Sequence, residues 1–334
     1  ANSSSITFVF EAERVIVVND GEAFIPDEVD AICSVKPGRK KNKIGFFGVG
    51  FKSVFNITNI PQVISADFNF NIENYIYPRP SDAIPKEAKA YFSKEKGSIF
   101  VLPHSQGFPT VSELIENFRE IDDKILLFLD NLKALHFIDK VNGESWSIKK
   151  LPTEDSLILL EDGRTEQTTK WRVFHKDLPV SKEEVSIPEG KEGITDTRIL
   201  VAFPCDEITK EANKGSTIYC YLPTSKRSDM PFLVQADFVP TVGRGSIQEV
   251  NWNKWLLPEL GVLAAEAIEQ IKDDHYLGKE LYSFIPLKDE VQEPLMDILS
   301  DAMYQELRSK KIARTMNFDW KRPDECAIAP SPEV

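Results

Sequence analysis

The sequence lacks the residue patterns of a metal site, a disulfide framework or a membrane span. Its four cysteines form no CxxC pair, so they fit neither a zinc site nor a set of disulfides. The four histidines are equally scattered, and none lies within one helical turn of another. No apolar run reaches the roughly 18 residues of a membrane span. We therefore expect free thiols, no metal-binding residue, no membrane partner and an intracellular location, cytoplasmic or nuclear.

Composition and charge narrow the class further. Apolar residues make up 42% and charged residues 28% of the chain, which is typical of a soluble globular protein rather than a disordered one. At 334 residues the chain is too long for one ordinary core, so we expect at least two domains. The net charge of −13 argues against a surface that binds nucleic acid as a whole, although a local basic groove would survive such an average.

The first half of the chain predicts helices with an antiparallel sheet. Short β-rich runs at residues 6–10 and 14–18 predict a hairpin, and Asn19-Asp20-Gly21 follows as a turn signal. Helical spacing at 27–35 precedes a polar, basic loop at 36–43. Further along, the patterns predict a glycine-rich loop that opens into a helix near residue 52, strands at 61–72 and 97–102, an amphipathic helix pattern at 111–132 that is one long helix or two, and strands at 134–151.

The second half predicts a mixed sheet followed by helices. Short strands with charged turns run from about residue 155 to 203, and the strongest strand patterns lie at 217–223 and 232–239. Helical patterns follow at 252–274 and 293–311. The fold class is therefore α+β, with predicted domains at 1–145 and 146–290 and a helical segment at 291–334.

The segment GFFGVGFK at residues 45–52 has the design of a phosphate-binding loop. Gly45, Gly48 and Gly50 leave no Cβ in the way of a ligand. A helix that begins near Lys52 would offer free N–H groups to an anion, and Lys52 would add a positive charge. The segment matches neither a P-loop nor a dinucleotide fingerprint, and a tight loop over a core is an equally good interpretation of the glycines alone.

Asp20 and Gly21 form the second candidate. A carboxylate at the end of a strand can accept a hydrogen bond from an exocyclic amine, and the glycine leaves room for a flat base. The commoner role of Asp-Gly is a simple turn. The hypothesis of a nucleotide site therefore depends on both motifs, in this order, with a basic loop between them.

Taken together, VVNDGEAF and GFFGVGFKSVF resemble the GHKL ATPases, which include heat-shock chaperones, DNA gyrase, MutL and MORC proteins. The resemblance implies ATP as the ligand and a Bergerat-type α/β sandwich as the fold. It places Asp20 and Gly21 at the adenine, and Gly45, Gly48, Gly50 and Lys52 in a lid over the phosphates. Ser98, in KGSIFVLP, resembles the later Gly-Thr strand, whose hydroxyl helps to hold the adenine aspartate.

The later segments narrow the resemblance to the sacsin and NO VEIN type of GHKL ATPase. They are TIYCYLPTSKRSDMPFLVQADF and VGRGSIQEVNWNKWLL, and with the first motifs they extend the likeness over roughly residues 1–275. The resemblance implies a second, transducer-like mixed α/β domain. Arg244, in its glycine-flanked turn, would reach the γ-phosphate from there. A solvated turn arginine is the alternative.

The resemblance also indicates what to expect outside this sequence. The catalytic Glu and the Asn that binds Mg²⁺ in this family align upstream of Ala1, so no catalytic residue is named and the Mg²⁺ ligand is expected there. We expect both ends to belong to a longer chain. ATP hydrolysis is expected only if the upstream helix exists.

The leading functional hypothesis is an ATP-driven conformational switch within a larger chaperone-like or nucleic-acid-associated machine. Its expected partners are ATP, an unknown protein partner or client, and a second copy of the chain in a nucleotide-dependent homodimer. A scaffold that binds nucleotide without turnover is the first alternative. A nucleic-acid-directed machine is the second, and the basic run at residues 36–43 is its local support.

Overall fold

A computed structural model of the chain describes residues 3–34, 51–91, 93, 95–153, 156–181, 183–213 and 216–327. The chain divides into two compact units. The first unit comprises Ala1–Leu151 and Leu160–Thr168, and the second comprises Pro152–Leu159 and Thr169–Val334. The functional division at residues 145 and 290 stays a prediction.

The first unit is built on a mostly antiparallel sheet with short helices. Its strands are β1 (Ser5–Glu11), β2 (Arg14–Glu22), β3 (Gln62–Ser65), β4 (Phe68–Glu73), β5 (Tyr77–Pro80), β6 (Lys96–Pro103), β7 (Ala134–Asp139) and β8 (Glu144–Pro152). Its helices are α1 (Pro26–Cys33), α2 (Lys86–Lys89) and α3 (Val111–Arg119), with 3-10 helices at Phe51–Asn56 and Asp123–Leu126. The strand order is β8-β7-β1-β2-β6-β3-β4-β5. Only β1 and β7 run parallel among these neighbours.

Apolar side chains are buried on both faces of this sheet. Successive residues of a strand point to opposite faces, so neighbouring apolar residues belong to different buried clusters. Ile64 belongs to one buried cluster, together with residues of β1, β2, β6 and α2. Its neighbour Val63 belongs to a second cluster, against which α1 and the 3-10 helix at Phe51–Asn56 pack. The continuous apolar run at residues 99–102 of β6 follows from this two-sided burial.

The amphipathic pattern at residues 111–132 is not one long helix. Thr110 caps α3 with its side chain, and Glu113 completes the capping box, so the helix begins where the sequence indicates. It ends at Arg119, and Asp122 caps a separate 3-10 turn. A second capping side chain inside an apolar pattern starts a new turn, which the periodicity alone does not reveal.

The second unit combines a mixed sheet with two packed helices. Strands β9 (Leu157–Asp162) and β10 (Gln167–Pro179) contribute residues to both units. The remaining elements are β11 (Asp196–Pro204), α4 (Glu207–Ala212), β12 (Thr217–Cys220), β13 (Leu222–Arg227), β14 (Leu233–Gln235), a 3-10 helix at Val242–Arg244, α5 (Asn251–Ile271), a 3-10 helix at Leu281–Phe284, α6 (Pro294–Leu307), β15 (Ala313–Arg314), β16 (Trp320–Lys321) and a 3-10 helix at Pro323–Glu325. The sheet order is β13-β12-β14-β11-β10, with β12 and β14 parallel.

Helix α5 forms the centre of the second unit and packs on both β11 and α6. Twelve of its 21 residues are buried, so its apolar surface is wider than the stripe of a surface helix. The two helices that periodicity predicts in the second half are confirmed as α5 and α6, whereas the short α4 was not predicted. The α+β class is confirmed as well, whereas the Bergerat-type sandwich stays a prediction.

Candidate functional site

Asp20 lies at the exposed end of the β1–β2 hairpin. The two strands pair from Glu11 with Arg14 to Ile6 with Asn19, so the start of β1 lies beside the end of β2. The predicted turn at residues 19–21 is not formed. Strand β2 continues to Glu22, which pairs with Lys96 of β6 after an irregularity in the register. The neighbouring β6 thus extends the strand through Asp20 and Gly21.

The carboxylate of Asp20 accepts five hydrogen bonds from three consecutive serines. Its Oδ1 accepts from Ser3 Oγ at 2.7 Å, from the Ser4 amide at 2.7 Å and from the Ser5 amide at 2.9 Å. Its Oδ2 accepts from Ser4 Oγ and, at 3.1 Å, from Ser5 Oγ. We call Ser3, Ser4 and Ser5 the serine cradle.

These bonds determine the charge state of Asp20. Partial burial raises the pKa of the carboxyl, but the hydrogen bonds from Ser4, Ser5 and Ser3 favour the charged form and together hold the pKa well below its usual range. Asp20 is therefore an ionised acceptor at neutral pH. An ionised carboxylate has only acceptor sites to offer to a ligand.

Gly97 and Ser98 lie on β6, directly beside the end of β2. Gly97 has a φ of 81°, and a Cβ on it would lie 2.5 Å from the carbonyl oxygen of Asn19. Glycine is required there by both conformation and space. Ser98 is opposite Asn19, but its buried hydroxyl is 2.7 Å from Ser65 Oγ. The structure thus brings Ser98 next to the Asp20 segment, with its hydroxyl bonded to Ser65.

Lys52 lies in the 3-10 helix at Phe51–Asn56. Its Nζ donates to the carbonyl oxygen of Ile32 at 2.7 Å and to that of Tyr75. Desolvation by burial lowers the pKa of this amine. Ile32 belongs to the last turn of α1, where a cation interacts favourably with free carbonyl groups. In this conformation Lys52 ties α1 to the turn after β4.

Arg244 has a comparable structural role in the second unit. Its φ is 60°, and one guanidinium nitrogen donates to the carbonyl oxygens of Cys220 at 2.7 Å and Leu222 at 2.9 Å. Its Nε is buried and has no partner. The arginine is therefore not the solvated turn residue of the alternative interpretation. The predicted contact with a γ-phosphate stays a prediction.

The structure describes only part of the predicted phosphate loop, because Gly45, Gly48 and Gly50 lie outside the described residues. Gly21, which was predicted beside the adenine, is buried in β2, and its amide donates to Asn19 Oδ1 at 3.2 Å. Of the predicted site residues, the structure thus brings together Asp20, Gly21 and Ser98 on neighbouring strands.

The serine cradle is the part of the site that the motif comparison missed. Its signal is present in the sequence, because a two-residue hairpin turn fixes the register of β1 against β2. Counting back along that register places Ser5 beside Asp20. Three serines in a row at the start of one strand, opposite an aspartate near the end of its partner, therefore indicate a capped carboxylate.

Other parts of the described chain offer weaker candidates for a binding site. A cleft of about 330 Å³ in the second unit is lined by Asn213, Met230, Phe284 and neighbouring residues, and none of its lining residues was a predicted site residue. Within the described ranges, no three His, Cys, Asp or Glu side chains form a group that could hold a metal ion. None of the described helices is both long and apolar enough to cross a membrane.

Comparison with known proteins finds a relative by sequence. This chain is similar to Protein NO VEIN of Arabidopsis thaliana. The identity is 24% over 313 residues, which cover 85% of this chain and 11% of NO VEIN. The chain therefore spans about a ninth of the length of that relative. No family model matches the chain.

Two solved structures are similar at a lower level than NO VEIN. The N-terminal domain of a DNA repair protein has 10% identity and a TM-score of 0.44, covering 84% of this chain and 91% of that domain. The ATP-binding domain of topoisomerase IV of Francisella tularensis has 13% identity and a TM-score of 0.26, covering 43% and 75%. Neither score establishes a shared fold. The likeness to NO VEIN agrees with the motif resemblance, while the GHKL family and its subgroup stay predictions.

Proposed function

We propose that this chain is the ATP-binding module of a conformational switch, in which Asp20 accepts a hydrogen bond from the adenine amine. The observation that carries the proposal is the place of this carboxylate. It is exposed at the end of β2, and Gly97 and Ser98 lie beside it on β6. The order of these motifs along the chain is the order that the GHKL resemblance requires.

The chemistry of Asp20 supports adenine rather than guanine. An ionised carboxylate accepts hydrogen bonds only, and the exocyclic amine of adenine is a donor. Guanine presents a carbonyl oxygen at the corresponding position, which would repel the carboxylate. Gly97 keeps β6 free of a side chain at the point where it passes Asn19 and Asp20.

The groups proposed for the phosphates need to change partners. Lys52 Nζ is bonded to two carbonyl oxygens, of Ile32 and Tyr75, and would have to leave them to reach a phosphate. A phosphate offers a stronger, charged partner in exchange. With Gly45, Gly48 and Gly50, Lys52 would then cover the phosphates. A Mg²⁺ ion belongs to the proposal through the family resemblance, which implies a ligand residue upstream of Ala1.

Such an exchange of hydrogen-bond partners would give the chain two conformations, one with and one without bound nucleotide. A ligand shifts a conformational equilibrium only by the difference between its affinities for the two states. A lysine that would exchange its bonds to the carbonyl oxygens of Ile32 and Tyr75 for a phosphate supplies that difference. Hydrolysis, a protein client and nucleotide-dependent pairing with a second copy are parts of the proposal that concern the longer protein.

Calorimetry with a non-hydrolysable ATP analogue tests the adenine assignment. Asp20→Asn places an amide donor against the adenine amine, so we expect binding to weaken by about tenfold or more, the effect of one lost hydrogen bond to a charged group. Asp82→Asn, at another exposed aspartate of the first unit, should bind like the wild type. Equal affinity of Asp20→Asn and wild type would remove Asp20 from the site.

A further inference from the structure

The serine cradle leaves Asp20 little capacity for any further partner. A carboxylate has about four acceptor sites on its two oxygens. Five donors already approach them, three at Oδ1 and two at Oδ2. An incoming amine therefore has to displace a donor rather than occupy a free position.

We propose that the serine cradle is an internal competitor of adenine, so that Ser3, Ser4 and Ser5 set the affinity and the timing of nucleotide binding. The proposal rests on the adenine assignment of Asp20. The nucleotide-free chain satisfies the carboxylate with its own serines. Adenine binds by taking over acceptor sites that the serine hydroxyls release.

The hydroxyl donors are the ones that can leave. The backbone of Ser4 is held in place, because its carbonyl oxygen accepts from the amides of Lys133 and Ala134 at the start of β7. The amides of Ser4 and Ser5 are therefore fixed donors. Each hydroxyl needs only a rotation about χ1 to turn away from Asp20, and Ser4 is exposed, so water can receive its hydroxyl.

Ser3 has an alternative partner within the chain. Its Oγ lies 2.7 Å from Asp20 Oδ1 and 2.7 Å from the carbonyl oxygen of Ser5, so its single proton can be donated to either acceptor. Losing the carboxylate therefore does not leave this hydroxyl without a bond. Two fixed amides would keep Asp20 ionised and oriented while the hydroxyls exchange with the adenine amine.

A purely orienting cradle makes the opposite prediction. If the serine hydroxyls served only to hold Asp20 in position for adenine, removing them would weaken binding. If they compete with adenine, removing them strengthens it. The direction of the change thus separates the two roles.

The test compares wild type, the triple variant Ser3→Ala/Ser4→Ala/Ser5→Ala and Ser112→Ala for binding of a non-hydrolysable ATP analogue. The triple variant removes three of five donors and keeps both amides. We expect it to bind about tenfold more tightly than wild type, the factor associated with one net hydrogen bond to a charged group. Ser112→Ala, an exposed serine of α3, should leave the affinity unchanged.

Two outcomes overturn the proposal. Equal or weaker binding by the triple variant, with binding still weakened in Asp20→Asn, removes the competitor and leaves the proposed function intact. Absence of binding in both wild type and the triple variant removes the competitor and the proposed function together.

A measurement on the unmodified cradle covers the case in which the triple variant does not fold. In a ¹⁵N NMR titration of the wild-type chain with the same analogue, the amide resonances of Ser4 and Ser5 should shift in step with nucleotide binding. The Ser112 amide serves as the reference. Saturating nucleotide that leaves both cradle amides unmoved would contradict the competition.

Discussion

Gly97 shows how closely the strands around Asp20 approach each other. Its φ of 81° lies in the left-handed region, and an added Cβ would meet the carbonyl oxygen of Asn19 at 2.5 Å. Gly143, in the turn between β7 and β8, has a similar φ of 75° but open space around the position of a Cβ. A side chain at Gly143 would meet only an unfavourable φ, whereas a side chain at Gly97 would meet the same φ and a steric clash. Comparing the two positions therefore separates the two contributions to the free energy of unfolding.

Gly97→Ala should therefore destabilise the chain more than Gly143→Ala. We expect Gly143→Ala to lose about 1 kcal/mol of unfolding free energy from the positive φ alone. Gly97→Ala adds the contact with Asn19, and its total loss should reach roughly 2–4 kcal/mol. Urea unfolding of both variants gives the comparison. Equal losses would mean that β6 can move away from β2 without cost.

Individual residues differ in how far the sequence predicts them. Asp20 and Ser98 were named as site residues from short motifs, and their roles stay predictions. The hydrogen bonds of Lys52 were not predicted from the sequence, since its partners Ile32 and Tyr75 lie about twenty residues away on either side. A flexible side chain selects its partners from the tertiary structure, and no local pattern records that choice.

At the scale of elements, α5 and α6 approach so closely at Gly261 that this position has no room for a side chain. Gly261 lies in the middle of α5, and a Cβ there would collide with the carbonyl oxygen of Leu299 and approach the amide of Met303 on α6. Two helix backbones come this close only where a side chain is missing. The usual gain in helix propensity from Gly to Ala, roughly 1 kcal/mol, does not compensate for such a collision.

Gly261→Ala should thus destabilise the second unit. We expect a loss of about 2 kcal/mol or more, because α6 must shift and its buried apolar contacts with α5 loosen. Gln270→Ala, an exposed position near the end of the same helix, should change the unfolding free energy by less than about 0.5 kcal/mol. Chemical unfolding followed by tryptophan fluorescence reports the effect. A neutral or stabilising Gly261→Ala would show that the helices are not in close contact.

Helices were easier to predict from the sequence than strand ends. The periodicity of α5 and α6 extends over several turns and marks both helices. The strand pattern at 232–239 gives only a short β14, because its neighbours β11 and β12 pair with it over Leu233–Gln235 alone. Strand β2 instead exceeds its prediction, because β6 pairs with it beyond the turn signal. Strand ends depend on the neighbouring strand, which lies elsewhere in the sequence.

At the scale of the whole molecule, the chain carries 53 acidic residues against 40 lysines and arginines. Composition predicts this excess of carboxylates but not which of them stabilise the fold. Burial raises the pKa of Asp20, Glu11 and Asp122, but hydrogen bonds to Asp20 and Glu11 and the charge of Lys124 beside Asp122 outweigh it and lower all three pKa values. Burial has the opposite effect on Asp237, whose pKa is raised although Lys191 lies beside it. Stability against acid therefore depends on the sum of opposing contributions.

Asp20 should contribute to the loss of stability in acid with a definite sign. Its pKa is lower in the folded chain than the ordinary value near about 3.9, so the unfolded chain binds this proton first as the pH falls. The contribution of Asp20 to the free energy of unfolding is fully present above that value and disappears as the pH falls towards the folded pKa.

Asp20→Asn has no proton to bind, so its urea midpoint should fall less than that of wild type between pH 6 and pH 3 (roughly the window in which the unfolded carboxyl titrates). Asp82→Asn removes a charge elsewhere on the surface and should follow the wild type. Parallel curves for Asp20→Asn and wild type would contradict the five hydrogen bonds of the serine cradle.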